Sequence, residues 1–563
     1  MDAFERAVKQ LQAGHHAEAA RTCRRIVRFA PDHADTWNIL GLAEVGLGTL
    51  DEAAASFERS ISLGSDADPC NNLGSLRKQQ GRLDEAVAAY REALERNPDY
   101  ADAHFNLGSI YRDRDELSLA AQCFDRAAAT NPDDHEAAYS AGQAWFSLGQ
   151  ITEAVDRFTK TAAGDRAELL LQTIATIIPG DPRASNQDVL NTRRAYAKFL
   201  PVPRPRVLRE RNHALRIGYI SSFFHRHNWM KPVWALINRH DRERFQIHLF
   251  SDAPVCDVQH GYRAQAGDVF HDISALSNEA AADLIEQSEI DILVDLNGYS
   301  KIRRLGLCAM KPAPVLVGWF NMYATTGIDA YDYLIGDAVV IPPDEEQFYC
   351  EKVQRVSGSY LTFEVDYPVP DVAPAPCLNN GYVTFGSLAS QYKITLGVID
   401  AWASILRKLP NSRLILKNAT LGSTGNRRHV LQSFGDVADR VRLEGPSDHF
   451  DFLKIYDEID IALDTFPYNG GTTTTEAIWQ GVPVLTFAGD RWASRTSASI
   501  LRAAGLHDLV TASPDEYFAK AIDLATPPNR IERLSRDQIR TSLACDAESF
   551  TRNMETLYET IAR

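Results

Sequence analysis

The sequence predicts an α-helical repeat solenoid followed by an α/β half made of two doubly wound, Rossmann-like units. Three observations carry that prediction. The first part of the chain, residues 1–162, repeats every 33 or 34 positions. From Leu215 onward, short apolar runs alternate with helical patterns. A proline-rich passage, YPVPDVAPAP (367–376), interrupts the alternation, which then restarts.

The repeat rests on three residue series. Alanines close the segments HAEA, LDEA, LDEA, LSLA and ITEA at Ala19, Ala53, Ala86, Ala120 and Ala154. Glycines follow at Gly41, Gly74, Gly108 and Gly142, and aromatics at Phe57, Tyr90, Phe124 and Phe158. Small residues let paired helices approach, and the aromatic fills the groove between them. Proline in APD (30–32) and NPD (97–99, 131–133) stands where a new helix starts. The pattern resembles tetratricopeptide repeats over residues 1–162. Such a solenoid offers a concave surface to a polypeptide.

Residues 163–212 read as a helical connector, with helices near 169–178 and 186–200, and not as a compact domain. The first α/β unit follows at 213–375, with strands in LRIGYISS, RFQIHLFSDAP, DILVDLNGYS, APVLVGWF and YDYLIGDAVVI. The second, 376–545, has strands in YVTFGSL, RLILKN, VRLEG, DIALDTF and PVLTF. Strands alternating with helices form parallel sheets whose ligand edge lies at the carboxyl ends of the strands. Two facing sheets of this kind suggest the GT-B architecture. The tail, 546–563, reads as a helix that crosses back.

Composition narrows the function classes. A net charge of −16 argues against a general binder of nucleic acid or anionic membranes. The eight cysteines are scattered, form no CxxC, and fit reduced thiols of a cytoplasmic protein. No apolar run reaches the length of a membrane span.

The segment NGGTTTTEAIWQG (469–481) is the most informative. Threonine is a mediocre helix former, yet four stand where a helix begins. First-turn amides lack internal partners, and the helix dipole there favours anions. Asn469, Gly470 and Gly471 make a tight loop whose glycines allow close approach. The hydroxyls of Thr472 and Thr473 can donate to phosphate oxygens or cap the amides. Glu476, one turn further in, suits a ribose diol. A capped helix after a simple Gly-Gly turn is the alternative.

Together with LRIGYISS, DILVDLNGYS, KPAPVLVGW, QYKI, WASILRKLPNSRLIL and ASRTSASIL, this segment resembles the O-GlcNAc transferase and SPINDLY family of glycosyltransferases. These carry tetratricopeptide repeats ahead of a GT-B fold. The resemblance implies that Lys393 contacts the donor phosphates, that Thr472 and Thr473 take the helix-start role, and that Glu476 binds the ribose. It implies that His227, in SSFFHRHN, is the catalytic base or orients the acceptor, with His225 as a rival. The implied reaction is an inverting, metal-independent transfer from a nucleotide sugar, with no cofactor, to a protein hydroxyl.

The sequence also departs from that family. Gly471 stands where the O-GlcNAc enzymes have histidine, and Phe452 where a loop histidine is expected, with His449 nearby. WFNMYATTG (319–327) replaces a glycine- and proline-containing turn, so Asn321, Met322 and Tyr323 reshape the sugar pocket. The donor is therefore expected to differ from UDP-GlcNAc. A CMP-linked nonulosonic acid such as pseudaminic acid, with flagellin as bacterial acceptor, is the leading expectation. UDP-GlcNAc or GDP-fucose transfer to intracellular proteins, and an inactive repeat scaffold, are the alternatives.

Overall fold

A computed structural model describes residues 2–132, 135–161, 166–205, 213–225, 227–253, 261–528 and 531–562, without the side chains of 161 and 227–229. The chain forms two compact units: residues 1–148 with 423–426, and residues 149–422 with 427–563.

The first unit consists of paired helices, beginning Ala3–Gln12 and His16–Phe29 and running to His135–Ser147. The repeat alanines Ala19, Ala53, Ala86 and Ala120 are fully buried. The glycine and aromatic series meet in space. A Cβ added at Gly41, Gly74 or Gly108 would stand within 2.9 Å of the ring of Phe57, Tyr90 or Phe124 respectively. Any side chain there would push the helix pair apart.

The 34-residue period persists to Phe158, but the packing changes earlier. The helix Ile151–Thr161 belongs to the second unit. Arg183 Nη1 pairs with its Asp156 at 3.0 Å. Gly149 adopts φ +87, and a Cβ there would stand 2.2 Å from the Ile394 carbonyl.

The described part of 163–212 packs against the first sheet. The helices Ala167–Ile177 and Asn186–Ala197 are built into the second unit. Ala175 and Tyr196 share a core with Ile220, Leu293 and Leu316. The physical reason is an apolar stripe of Leu170, Ile174, Ile177, Val189 and Leu190, all buried, which a solvated linker would leave exposed.

The second unit contains two parallel sheets. The first has strands β1 (Leu215–Ser221), β2 (Phe245–Ser251), β3 (Val269–Asp272), β4 (Ile292–Asp295), β5 (Val315–Gly318), β6 (Tyr333–Gly336) and β7 (Lys352–Arg355), in the order β3-β2-β1-β4-β5-β6-β7. The second has β8 (Thr384–Ser387), β9 (Arg413–Lys417), β10 (Val441–Glu444), β11 (Ile461–Leu463), β12 (Val484–Phe487) and β13 (Val510–Thr511), in the order β10-β9-β8-β11-β12-β13. Both are doubly wound, and their switch points lie beside β1 and β8, where such folds bind ligands. The sequence reading lacked β3, β7 and β13, which are two to four residues long and sit at or near sheet edges.

Each sheet buries both faces. In β5, Leu316 joins one core and Val317 the other; in β9, Leu414 and Leu416 oppose Ile415. That is the period-two alternation of a strand covered on both sides. The tail helix Ala547–Ile561 crosses back onto the first sheet, placing Phe550, Met554 and Tyr558 in its core.

Candidate functional site: a cleft between the two sheets

The second sheet supplies the cradle. Asp464, just beyond β11, is buried and accepts hydrogen bonds from the amides of Gly470 (2.8 Å) and Thr465 (2.9 Å) and from the Thr486 hydroxyl (2.7 Å). Burial raises its carboxyl above the usual range, while those donors favour the charged form. A Cβ on Gly470 would stand 2.7 Å from the hydroxyls of Thr473 and Thr474, so only glycine fits. At Gly471 the nearest atom would be Thr496 Cγ2 at 3.6 Å, an ordinary contact. Of the two glycines in the motif, the turn therefore requires the first.

The helix Thr472–Trp479 starts directly after Gly471 with no side-chain cap. Two of its four threonines bond within the protein, although Thr475 also borders the cleft. Thr474 shares a hydrogen bond with Ser497 at 2.7 Å and Thr475 donates to the Thr472 carbonyl at 2.8 Å. Thr472 and Thr473 border the cleft at the helix's positive end.

Lys393 borders the same cleft from the loop after β8. Its Nζ donates to the Asn469 carbonyl at 2.7 Å and lies 4.3 Å from the Tyr468 ring centroid. Burial lowers its ammonium to about 8, opposed in part by Asp464. Asn469 stands behind the cleft: it is buried and its amide nitrogen donates to the Thr465 carbonyl at 2.6 Å.

Glu476 is also buried, and it is already engaged. Its Oε1 accepts from His449 Nε2 at 2.9 Å and from Lys231 Nζ at 3.3 Å. Lys231 belongs to the helix His227–Ile237 of the first sheet, and it also hydrogen-bonds the Tyr367 hydroxyl. Burial lowers its ammonium, and Glu476 counteracts the shift. Sequence reasoning missed Lys231. Its signal was a lone cation inside the apolar run WMKPVWALI.

The first sheet supplies the opposite wall. Asn321 donates to the Leu296 carbonyl at 2.9 Å, and Tyr323 to Asn321 at 3.4 Å. Met322 is buried behind them and packs where Gly298 and Gly318 leave room. Phe320 and Tyr323 hold φ of +77 and +55. Left-handed backbone at bulky residues costs about 1–3 kcal/mol each and persists only where surroundings impose it. The Tyr323 ring meets Tyr468 across the cleft at 5.1 Å, and Tyr468 meets Tyr392 at 6.0 Å. The cavity left between the walls is about 140 Å³.

His227 opens its helix just past the carboxyl end of β1, four residues before Lys231. Its side chain lies outside the described residues. The rival His225 lies half-buried in the preceding loop. Among the described residues no three His, Cys, Asp or Glu side chains cluster as a metal site, and no helix is long and apolar enough to cross a membrane.

Two doubly wound parallel sheets, with a helix N-terminus and a lysine facing a shared cleft, define a GT-B fold. The chain belongs to glycosyl transferase family 41, whose model matches residues 198–367 and 375–554. Tetratricopeptide models match residues 4–69, 74–112 and 111–168. The probable UDP-N-acetylglucosamine–peptide N-acetylglucosaminyltransferase SPINDLY of Hordeum vulgare is 34% identical over 377 residues, 65% of this chain and 40% of its own length. The corresponding SEC protein of Arabidopsis thaliana is 29% identical over 357 residues, 61% of this chain and 36% of its own. The chain thus spans about 40% of the length of the first of these curated relatives. A solved O-GlcNAc transferase mutant from Thermobaculum terrenum superposes with a TM-score of 0.71 at 28% identity, covering 88% of this chain and 97% of that one.

Proposed function

We propose that the chain is a protein O-glycosyltransferase that moves a sugar from a nucleotide donor to a serine or threonine hydroxyl, with inversion and without a metal. The observation that carries this reading is the meeting of Lys393, Thr472 and Thr473 at one cleft. As the nucleotide departs, negative charge grows on its phosphate. The Lys393 ammonium and the first-turn amides of Thr472–Trp479 offset that charge without reorganising. The acceptor oxygen attacks the anomeric carbon from the opposite face, and its proton passes to His227 or to solvent. The position of His227 one turn before Lys231, which borders the cleft, supports the assignment.

Glu476 takes the ribose diol in this scheme by exchanging one of its present partners. A cavity of about 140 Å³ is below the roughly 300–1,000 Å³ of ligand sites. Tyr323 and Tyr468 therefore part when the donor enters.

The donor we favour is a CMP-linked nonulosonic acid, and the acceptor a flagellin modified in the cytoplasm. The support is the reshaped loop, whose Asn321 and Tyr323 border the cleft, and the Lys393 ammonium that borders it with them. The repeats would hold the acceptor. Their side-chain amides bond from one repeat to the next, Asn72 to Asn38 at 2.9 Å and Asn106 to Asn71 at 3.1 Å, a polar track suited to an extended backbone. A thermal-shift panel of UDP, GDP and CMP tests the donor, since ligand at a hundred times its Kd stabilises by about 2.7 kcal/mol. Selective stabilisation by CMP is expected. A response to UDP or GDP replaces the acidic sugar with N-acetylglucosamine or fucose, and no response to any of them favours a repeat scaffold.

A further inference from the structure

The tetratricopeptide match ends at residue 168 and the glycosyl transferase match begins at 198. Between them, on the helix Asn186–Ala197, lies Arg193, only 2% exposed. Its described acceptors are all backbone carbonyls: Thr325 at 2.6 Å and Met322 at 3.4 Å from Nη1, and Ala175 at 3.1 Å from Nε. The Tyr299 ring lies against the guanidinium, 3.9 Å from its carbon. A buried cation whose hydrogen bonds go to carbonyls, with the Glu351 carboxylate near enough to favour its charge only in part, is costly to keep. The planar fork of arginine can serve several carbonyls at once, where an ammonium is a single point.

Two of those carbonyls belong to the loop 319–327, which carries the left-handed Phe320 and Tyr323. The contact is tight: a Cβ on Gly327 would stand 2.6 Å from Arg193 Cβ. Beyond the strained turn, Asn321 and Tyr323 border the cleft. Arg193 thus grips the chain at Met322 and Thr325, within and just past the strained stretch, and does so from a different segment of the fold.

We propose that Arg193 is a positioning residue for the donor sugar: it holds loop 319–327 in its left-handed course and so sets which sugars the cleft accepts. The proposal rests on the reading of the cleft as a nucleotide-sugar site, so its test has one arm that needs no ligand. Hydrogen exchange of the full chain is compared with that of Arg193→Lys. At least about tenfold faster exchange is expected at the amides of 319–327, with the second sheet unchanged. Unchanged exchange in the loop overturns the proposal. In the second arm, Kd values are measured for UDP, GDP and CMP, and for UDP-GlcNAc, GDP-fucose and a CMP-linked nonulosonic acid. For whichever nucleotide binds, Arg193→Lys is expected to leave its Kd within about twofold and to weaken its sugar conjugate at least tenfold. Equal weakening of both, or of neither, overturns the role. If Arg193→Lys does not fold, Tyr299→Leu, which removes the ring beneath the guanidinium, is read in both arms with the same expectations. A loosened loop in a protein that binds no nucleotide keeps the clamp and discards the donor reading instead.

Discussion

The turn that leads into Thr472–Trp479 is held by near neighbours as well as by distant residues such as Lys393 and Ser497. Asp464 fixes Gly470 from six positions away, and Thr465 holds Asn469 from four. The loop 319–327 on the facing wall takes its shape from residues far away. Arg193 reaches Thr325 across 132 positions, and Glu351 accepts from Thr325 and Thr326 across 26 and 25. The first wall presents amides and hydroxyls that any phosphate would engage. The second presents side chains on a strained backbone. In the proposed reading, the first wall serves any nucleotide and the second discriminates among sugars.

The comparison breaks most decisively at Lys393. Lys393→Ala is expected to lower kcat about 100- to 1,000-fold, the loss typical of a single charge-stabilising donor; near-normal turnover would remove the cradle from the mechanism. Next come two matched substitutions. Gly470→Ala, forced against Thr473 and Thr474, is expected to destabilise the protein by about 1–3 kcal/mol and to abolish nucleotide binding. Glu351→Gln replaces an acceptor of three hydrogen bonds and is expected to cost a similar about 1–3 kcal/mol. Denaturant melts and nucleotide titrations separate them: the glutamine variant should still bind nucleotide.

Proton dependence sharpens the comparison further. Burial lowers the Lys393 ammonium to about 8, so the charge that the proposed function assigns to phosphate binding is present below that pH and is lost as pH rises through it. Nucleotide Kd is expected to weaken by about tenfold between pH 7 and pH 9, and Lys393→Arg should flatten the profile. Calorimetric titration at four pH values decides it. The smallest effect is expected at Gly471→Ala, within about twofold in Kd, because a Cβ there meets only ordinary contact.

The legible parts of the sequence follow the same division. The period of Gly41, Gly74 and Gly108 against Phe57, Tyr90 and Phe124 predicted contacts that the structure contains. Ten of the thirteen strands were legible as apolar or alternating runs. β3, β7 and β13, all edge strands of two to four residues, were not. At the site, the Gly-Thr turn was readable as a helix N-terminus. The engagement of Glu476 by Lys231 and His449 was not, because 245 residues separate Glu476 from the lysine. Arg193 was hidden for a related reason. Its helix read as a connector, and nothing in a neighbouring pattern marks an arginine whose partners are carbonyls.

The tail helix Ala547–Ile561 carries a consequence for biosynthesis. It contributes Phe550, Met554 and Tyr558 to the core of the first sheet, although the whole second sheet is encoded between them. On an emerging chain, the second sheet has all its strands and its covering helices first. The first sheet waits with part of one apolar face, beside the helix His227–Ile237, uncovered until the segment 547–561 arrives. Domains generally fold as units during synthesis, and exposed apolar faces aggregate. The later half of the second unit therefore completes before the earlier half, and a nascent chain halted just short of Ala547 would present a chaperone with one finished sheet and one unfinished.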